Sequence, residues 1–195
     1  MTMDALPDDV RKEHAKNLLS QGRLEEARTL LAELCRDDQR DVETWFLYSA
    51  ANAHLRRFED VMTACRKALE IDPGYIPALN SLASTLAMLG RHPEAFIAFT
   101  NALHHAPNNP AILNNYARAL TLAGRGYEAR GVLENAVRIQ PYYAEAHYNL
   151  AILLEQEGLK SDALREYEQA AALKPGLPGL NDRLTRLRGS VGHGV

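Results

Sequence analysis

Seven histidines, two cysteines and one Gly-Leu-Lys-Ser fragment are the parts of this 195-residue sequence whose types suggest chemistry. A hydrolytic zinc site would set two histidines about a glutamate as His-Glu-x-x-His, a dithiol site would pair cysteines as Cys-x-x-Cys, and a serine hydrolase would carry Gly-x-Ser-x-Gly. None of these spacings occurs. His104 and His105 stand at the end of a helical pattern, where a partly positive imidazole suits the helix dipole. His14 and His147 fall at packing positions and read as partly buried, hydrogen-bonded side chains. Cys35 and Cys65 read as small hydrophobes, and two cysteines make no disulfide framework. The fragment at 158–161 ends like a phosphate-binding loop, but it lacks the upstream glycine and the strand, so it reads as a turn between helices. No catalytic or metal-ligating constellation emerges, and neither an enzymatic activity nor a cofactor is expected.

The elements that hold these residues are set out by a repeat. Pro73, Pro107, Pro141 and Pro175 follow one another at intervals of 34, and an alanine stands five residues before each: Ala68, Ala102, Ala136 and Ala170. A second small-residue ladder runs Ala27, Val61, Ala95, Ala129 and Ala163, and a third runs Ala15, Ser49, Ala83, Ala117 and Ala151. Gly22, Gly90, Gly124 and Gly158 keep the same step, with Arg56 as the exception. Small residues fit where two helices cross closely. Glycine ends a helix through a left-handed backbone, and proline stops the next one. Leu79, Leu82, Leu86 and Leu89 share one helical face, so the pattern predicts pairs of helices.

This spacing resembles the tetratricopeptide repeat, whose pattern runs from an aromatic and a small residue in the first helix to alanines and a proline after the second. Five units are expected at 8–41, 42–75, 76–109, 110–143 and 144–177. The second carries Trp45, Tyr48, Ser49, Asn52, Val61, Cys65, Ala68 and Pro73, and the others follow it. The first is the weakest, with Gln39 in place of the proline and Leu34 in place of the second alanine. At 178–188, Leu180, Leu184 and Leu187 share a face opposite charged residues, as a terminal capping helix requires. The expected fold is all-α, a superhelical solenoid of antiparallel helix pairs forming a single domain over 8–188. The segments 1–7 and 189–195 are expected to be flexible termini.

The resemblance implies work by binding. In this family the first helix of each pair lines a concave surface, and carrying its positions over gives a candidate peptide groove of Phe46, Leu47, Asn80, Ser84, Asn114, Asn115, Arg118, Tyr148 and Asn149. An asparagine amide donates and accepts at once, so it can pair with a peptide unit of an extended chain. Phe46 and Leu47 are expected as an exposed apolar anchor. Chaperone-type members grip a terminal carboxylate with a clamp of lysines, asparagines and an arginine. Here Lys12 matches it, but Lys16, Leu47, Pro77 and Ser81 depart, and no such clamp is expected.

The expected partner is therefore another protein or peptide. A formal charge of −3 and a pI near 6.2 give no basic track for nucleic acid, and the apolar stretches are too short for membrane insertion. Acids near the start disfavour a signal peptide, which points to a cytoplasmic protein. Arginine outnumbers lysine 17 to 5, a bias of GC-rich bacterial genomes. Two alternatives stand beside the adaptor. Asn115 and Asn149 resemble the substrate-reading repeats of glycosyltransferases, which would make the chain a detached targeting module. Association through the solenoid ends would make it a self-assembling scaffold.

Overall fold

A helix of the family's first type needs a start, a small residue at the crossing and a stop, and the chain supplies all three at one interval. The computed structural model describes residues 6–191; the expectations placed on 1–5 and 192–195 lie outside the described residues. The first helices of the pairs are α1 (Asp8–Ser20), α3 (Val42–His54), α5 (Ile76–Met88), α7 (Pro110–Leu122) and α9 (Ala144–Gln156). The second helices are α2 (Leu24–Asp37), α4 (Phe58–Ile71), α6 (His92–His105), α8 (Gly126–Ile139) and α10 (Lys160–Leu173). The terminal helix α11 (Leu180–Val191) begins two residues after the expected start of the cap and continues three beyond its expected end. Every regular element among the described residues is helical. The architecture is all-α, antiparallel pairs of tetratricopeptide type.

The chain forms two compact units, one reaching to His105 and the other starting at Ala106. In the first, α2 packs on α1 and α3, and α4 on α3 and α5. Its core begins with Ala15, Leu18, Ala27, Leu31 and Leu34, on which Leu47 and Tyr48 rest, and continues with Val61, Cys65, Ala68 and Ala78. In the second unit α8 packs on α7 and α9, and α10 packs on α9 and α11. Ile112, Leu120, Leu133, Tyr167 and Leu180 are fully buried there, with Leu184 and Leu187 also inside, so the expected apolar face of the cap is in use.

All members of the three small-residue ladders are fully buried, from Ala15, Ala27 and Ala68 to Ala151, Ala163 and Ala170. Helix starts draw on local side chains where these are available. Asp41 accepts from the Glu43 and Thr44 amides at 3.0 and 3.2 Å, and Asn109 does the same for Ala111 and Ile112. The residues before Pro73, Pro141 and Pro175 are extended (Asp72 φ −129°, Gln140 φ −130°, Lys174 φ −149°), as proline demands of its predecessor. Asp38 is extended as well, although Gln39 follows it instead of proline.

The turn inside each pair is a left-handed cap. The Arg23, Arg57, Arg91, Arg125 and Leu159 amides each reach back to a carbonyl five residues earlier at 2.9 Å, from Leu18 to Leu154, closing the last helical turn. That closure requires positive φ. The glycines of the ladder have φ of 74 to 79°, and Arg56, standing where the others have glycine, is held at φ 59°. A side chain in this conformation costs about 1–2 kcal/mol. Arg56 lies over the Phe58 ring at 5.9 Å, which offsets part of that cost. Arg56→Gly is expected to exceed Arg56→Ala in stability by about 1 kcal/mol, read from urea denaturation midpoints. Equal midpoints would mean that the turn carries no strain.

Candidate functional site

The first helices of successive pairs adjoin within each unit, α1 with α3 and α3 with α5 in the first, α7 with α9 in the second. The candidate groove residues belong to these helices, but the two units use them differently.

In the first unit the lysines of this face are paired with its acids. Lys12 pairs with Asp41, and also with Glu43 at 3.6 Å, while Lys16 bridges Glu13 at 2.8 Å and Glu43 at 2.9 Å. The lysine ammonium of Lys16 is held far above its usual range by Glu13 first and Glu43 next. Glu43 is held low by Lys16, against the opposing effect of its partial burial. Phe46 and Leu47, expected as exposed anchors, are half-buried. The Phe46 ring meets Tyr75 edge-on at 5.8 Å, and Leu47 packs on the core of the first pair. The turn residue Tyr75 and the N-terminal pair cover apolar surface that the repeat positions alone leave open. Asn80 and Ser84 are half-buried on α5.

In the second unit the asparagines meet. The Asn149 Nδ2 group donates to Asn114 Oδ1 at 2.7 Å, linking α9 to α7; Asn114 is 5% exposed and Asn149 half-buried. Asn115 is half-buried beside them. At least one bond of this pair therefore holds helix to helix. Single Asn114→Ala or Asn149→Ala changes are each expected to cost about 1–3 kcal/mol, by stranding the other amide, whereas the double change costs less than the sum. A double-mutant cycle in urea measures this. Strict additivity would mean that the bond does not contribute in solution.

Next to this pair lies a cleft of about 200 Å³. Leu122, Leu133, Ile152 and Leu153 form its apolar part, and Arg118 and Asn149 stand at its polar part. Leu122 is 59% exposed. It was not among the groove candidates, although it occupies the repeat position held by His54, Met88 and Gln156. Arg118 is exposed and makes no ion pair among the described residues. Tyr148 is committed elsewhere: its hydroxyl donates to the Pro178 carbonyl at 2.9 Å, and its ring lies 5.7 Å from Tyr167. It anchors the approach to α11.

The histidines divide. His147 is buried, with Nδ1 at 2.7 Å from Glu166 Oε2 and Nε2 at 2.9 Å from the Pro141 carbonyl, tying α9 to α10 and to the turn before it. His14, expected to be partly buried, is exposed, because the first pair has no described helix ahead of it to cover this position. It lines a cleft of about 390 Å³ with Leu18, Leu30 and three glutamates. His104 and His105 do occupy the last turn of α6. Both cysteines are buried thiols, and burial pushes the Cys35 thiol up to about 12. Among the described residues no three His, Cys, Asp or Glu side chains are grouped to hold a metal ion. No helix among them is long and apolar enough to cross a membrane.

The two acceptors facing His147 explain its titration. Both ring nitrogens can donate only in the imidazolium, and the Glu166 bond raises the pKa of His147 against the lowering effect of burial, with the Pro141 carbonyl adding to the rise. A raised folded-state pKa makes the stabilisation complete below the unfolded value of about 6.5 and lost as pH climbs through the folded value. Melting temperature is therefore expected to fall as pH rises from about 6 toward the alkaline side of that range. His147→Gln should flatten this component; an unchanged slope would assign the pH dependence to other groups.

A tetratricopeptide repeat family model matches residues 12–76, 82–144 and 124–178, and a second model of the same description matches residues 64–96. No curated protein matches the chain. Among solved structures, a thermophilic TPR protein of Thermus thermophilus, TTC0263, is 18% identical with a TM-score of 0.79, over 93% of this chain and 99% of that one. PilF of Pseudomonas aeruginosa is 18% identical with a TM-score of 0.81, over 95% and 84% of the two chains. YrrB, described as a TPR protein with an unusual peptide-binding site, is 16% identical with a TM-score of 0.64, over 92% and 90%. At these identities the likeness is one of fold.

Proposed function

Because the chain belongs to the tetratricopeptide repeat family, whose fold is that of protein-interaction scaffolds, we propose that it is a non-catalytic adaptor that binds a segment of another protein on the face of its first helices. The single observation that carries this reading is the open cleft between α7, α8 and α9, where apolar surface, a fixed amide pair and an exposed cation converge. Convergence of a few polar groups on apolar surface is what peptide recognition requires. The likeness to YrrB supports it, since that protein is described as having a peptide-binding site on the same kind of fold.

In the second unit the proposed contact surface has Arg118 and Asn149 facing a ligand, with Asn115 kept as a candidate; Asn80 and Ser84 are kept as candidates on the first-helix face of the first unit. Asn114 orients Asn149. Phe46, Leu47 and Tyr148 shape the surface from beneath while keeping part of their area exposed. The ligand is read as protein rather than nucleic acid, because the two lysines on the first-helix face of the first unit, Lys12 and Lys16, are taken up by Asp41, Glu13 and Glu43. A cytoplasmic place of action, and a single domain over 8–188, belong to the same proposal.

Affinity capture from the native source tests this reading, comparing the wild-type chain with one carrying Arg118→Ala, Asn149→Ala and Phe46→Ala. A partner held by the wild type and lost from the variant, with helicity retained, is the expected result. Partners held equally by both would remove the first-helix face from the account. A second reading, self-association, is favoured by the cleft of His14, Leu18 and Leu30 on the first pair. It predicts a mass that rises with concentration in light scattering, and a constant monomer mass would exclude it.

A further inference from the structure

We infer that the cleft of the second unit selects a partner segment in which an aliphatic side chain lies within two residues of an aspartate or glutamate. This rests on the adaptor reading and names the chemistry of its ligand. The volume decides the first half. About 200 Å³ is below the roughly 300–1,000 Å³ of pockets that enclose drug-sized ligands, and it suits one aliphatic side chain. Its walls are of matching character, with Leu122, Leu133, Ile152 and Leu153 offering no donor or acceptor from their side chains. The hydroxyl of Thr121, which also borders the cleft, is already given to the Ala117 carbonyl at 2.9 Å.

The charge decides the second half. Arg118 is an exposed guanidinium on the cleft and forms no ion pair among the described residues. Glu145, on the neighbouring helix α9, is not available to it as a free acid, because Lys174 holds that carboxylate at 2.7 Å. Glu155, one turn beyond Ile152, is likewise engaged, by Arg183 at 2.9 Å and Arg186 at 2.6 Å. A single unpaired guanidinium matches one carboxylate, bidentately and at short range. It does not make a clamp for a terminal dicarboxylate, and its one acid is taken to be an aspartate or glutamate side chain, which a C-terminally amidated peptide tests. Asn149, with its Nδ2 held by Asn114, presents its carbonyl oxygen in a fixed direction, suited to a backbone amide of the same segment.

The test is selection from a displayed library of random seven-residue peptides on the full chain, run beside Arg118→Glu and Leu122→Glu chains. Both positions are exposed, so the variants are expected to keep the wild-type circular dichroism and melting temperature. The enriched peptides should carry Leu, Ile, Val or Met within two residues of Asp or Glu. A synthetic, C-terminally amidated copy should bind the Arg118→Glu and Leu122→Glu chains at least tenfold more weakly than the wild type, with affinity falling as salt rises. Enriched peptides without that pairing, or binding unchanged by Arg118→Glu, would overturn the inference. If such peptides are instead lost on Phe46→Ala, the adaptor reading survives and only the ligand class falls. Failure to enrich any peptide on the wild-type chain overturns both.

Discussion

Replacing Tyr167 with alanine is expected to cost about 3–5 kcal/mol, the largest loss from any single side chain in the second unit. Tyr167 is the largest of the fully buried side chains among the described residues. It fills the repeat position that Cys65, Phe99 and Leu133 fill in the earlier pairs, where the second helix meets the first. Its hydroxyl also closes a polar knot: it donates to Glu155 Oε2 at 2.8 Å and accepts from Arg183 Nη1 at 3.2 Å, while Arg186 bonds the other Glu155 oxygen at 2.6 Å. Burial first, then the Glu155 carboxylate, raise the phenol's pKa far above its usual value, so it stays a donor at every working pH. Tyr167→Phe removes the hydroxyl alone and should cost about 1–2 kcal/mol. Urea denaturation separates the two contributions. A loss below about 1 kcal/mol for the alanine variant would show that this column is not the core of its pair.

The second large effect is steric. Ala129→Leu is expected to destabilise by about 1–3 kcal/mol, because the site is fully buried and a branched side chain forces rotamer or backbone shifts on a close helix crossing. Two residues away, Tyr127 is 88% exposed, and Tyr127→Leu should change stability by no more than about 0.5 kcal/mol. The contrast within one helix isolates position from residue chemistry. Equal effects at the two sites would contradict the crossing geometry assigned to the alanine ladder.

Side-chain volume and backbone sign are what a repeat writes into sequence, and they were legible. The ladders through Ala15, Ala27 and Ala68 marked crossings that are fully buried, and the glycine column marked positive φ so firmly that Arg56, the one departure from it, adopts the same conformation. The cap's leucines, Leu180, Leu184 and Leu187, were readable for the same reason. What the repeat positions could not convey is which neighbour arrives over a given side chain. Phe46 looked free until the turn residue Tyr75 covered its edge, and His14 looked covered although its pair is the first. Polar pairing escaped as well. Asn114 and Asn149 are 35 residues apart, one position off the repeat, so their bond depends on the offset between α7 and α9 rather than on equivalent sites.

Arg11 illustrates the same limit at the N-terminal pair. It is buried on α1 with Asp37 at 2.8 Å, Asp8 at 3.2 Å and Glu33 at 3.5 Å, a network in the repeat that matches its family least well. The guanidinium's long stem supplies apolar cover while its head stays paired. Lys12, Lys16 and Glu43 continue this self-paired character across the first-helix face of the first unit. The second unit instead leaves Arg118 and Leu122 open at a cleft. This difference in commitment, not the asparagine run alone, is why the second-unit cleft is the surface proposed for a partner.

The most direct test of the adaptor account is to place a photo-crosslinking phenylalanine analogue singly at Leu122, Ile152 and Tyr127 and irradiate in native extract. Leu122 and Ile152 line the cleft from the first helices α7 and α9, and Tyr127 is exposed on the second helix α8. The account predicts that Leu122 and Ile152 join to the same partner and that Tyr127 does not. A partner captured from Tyr127, with none from Leu122 or Ile152, would contradict it.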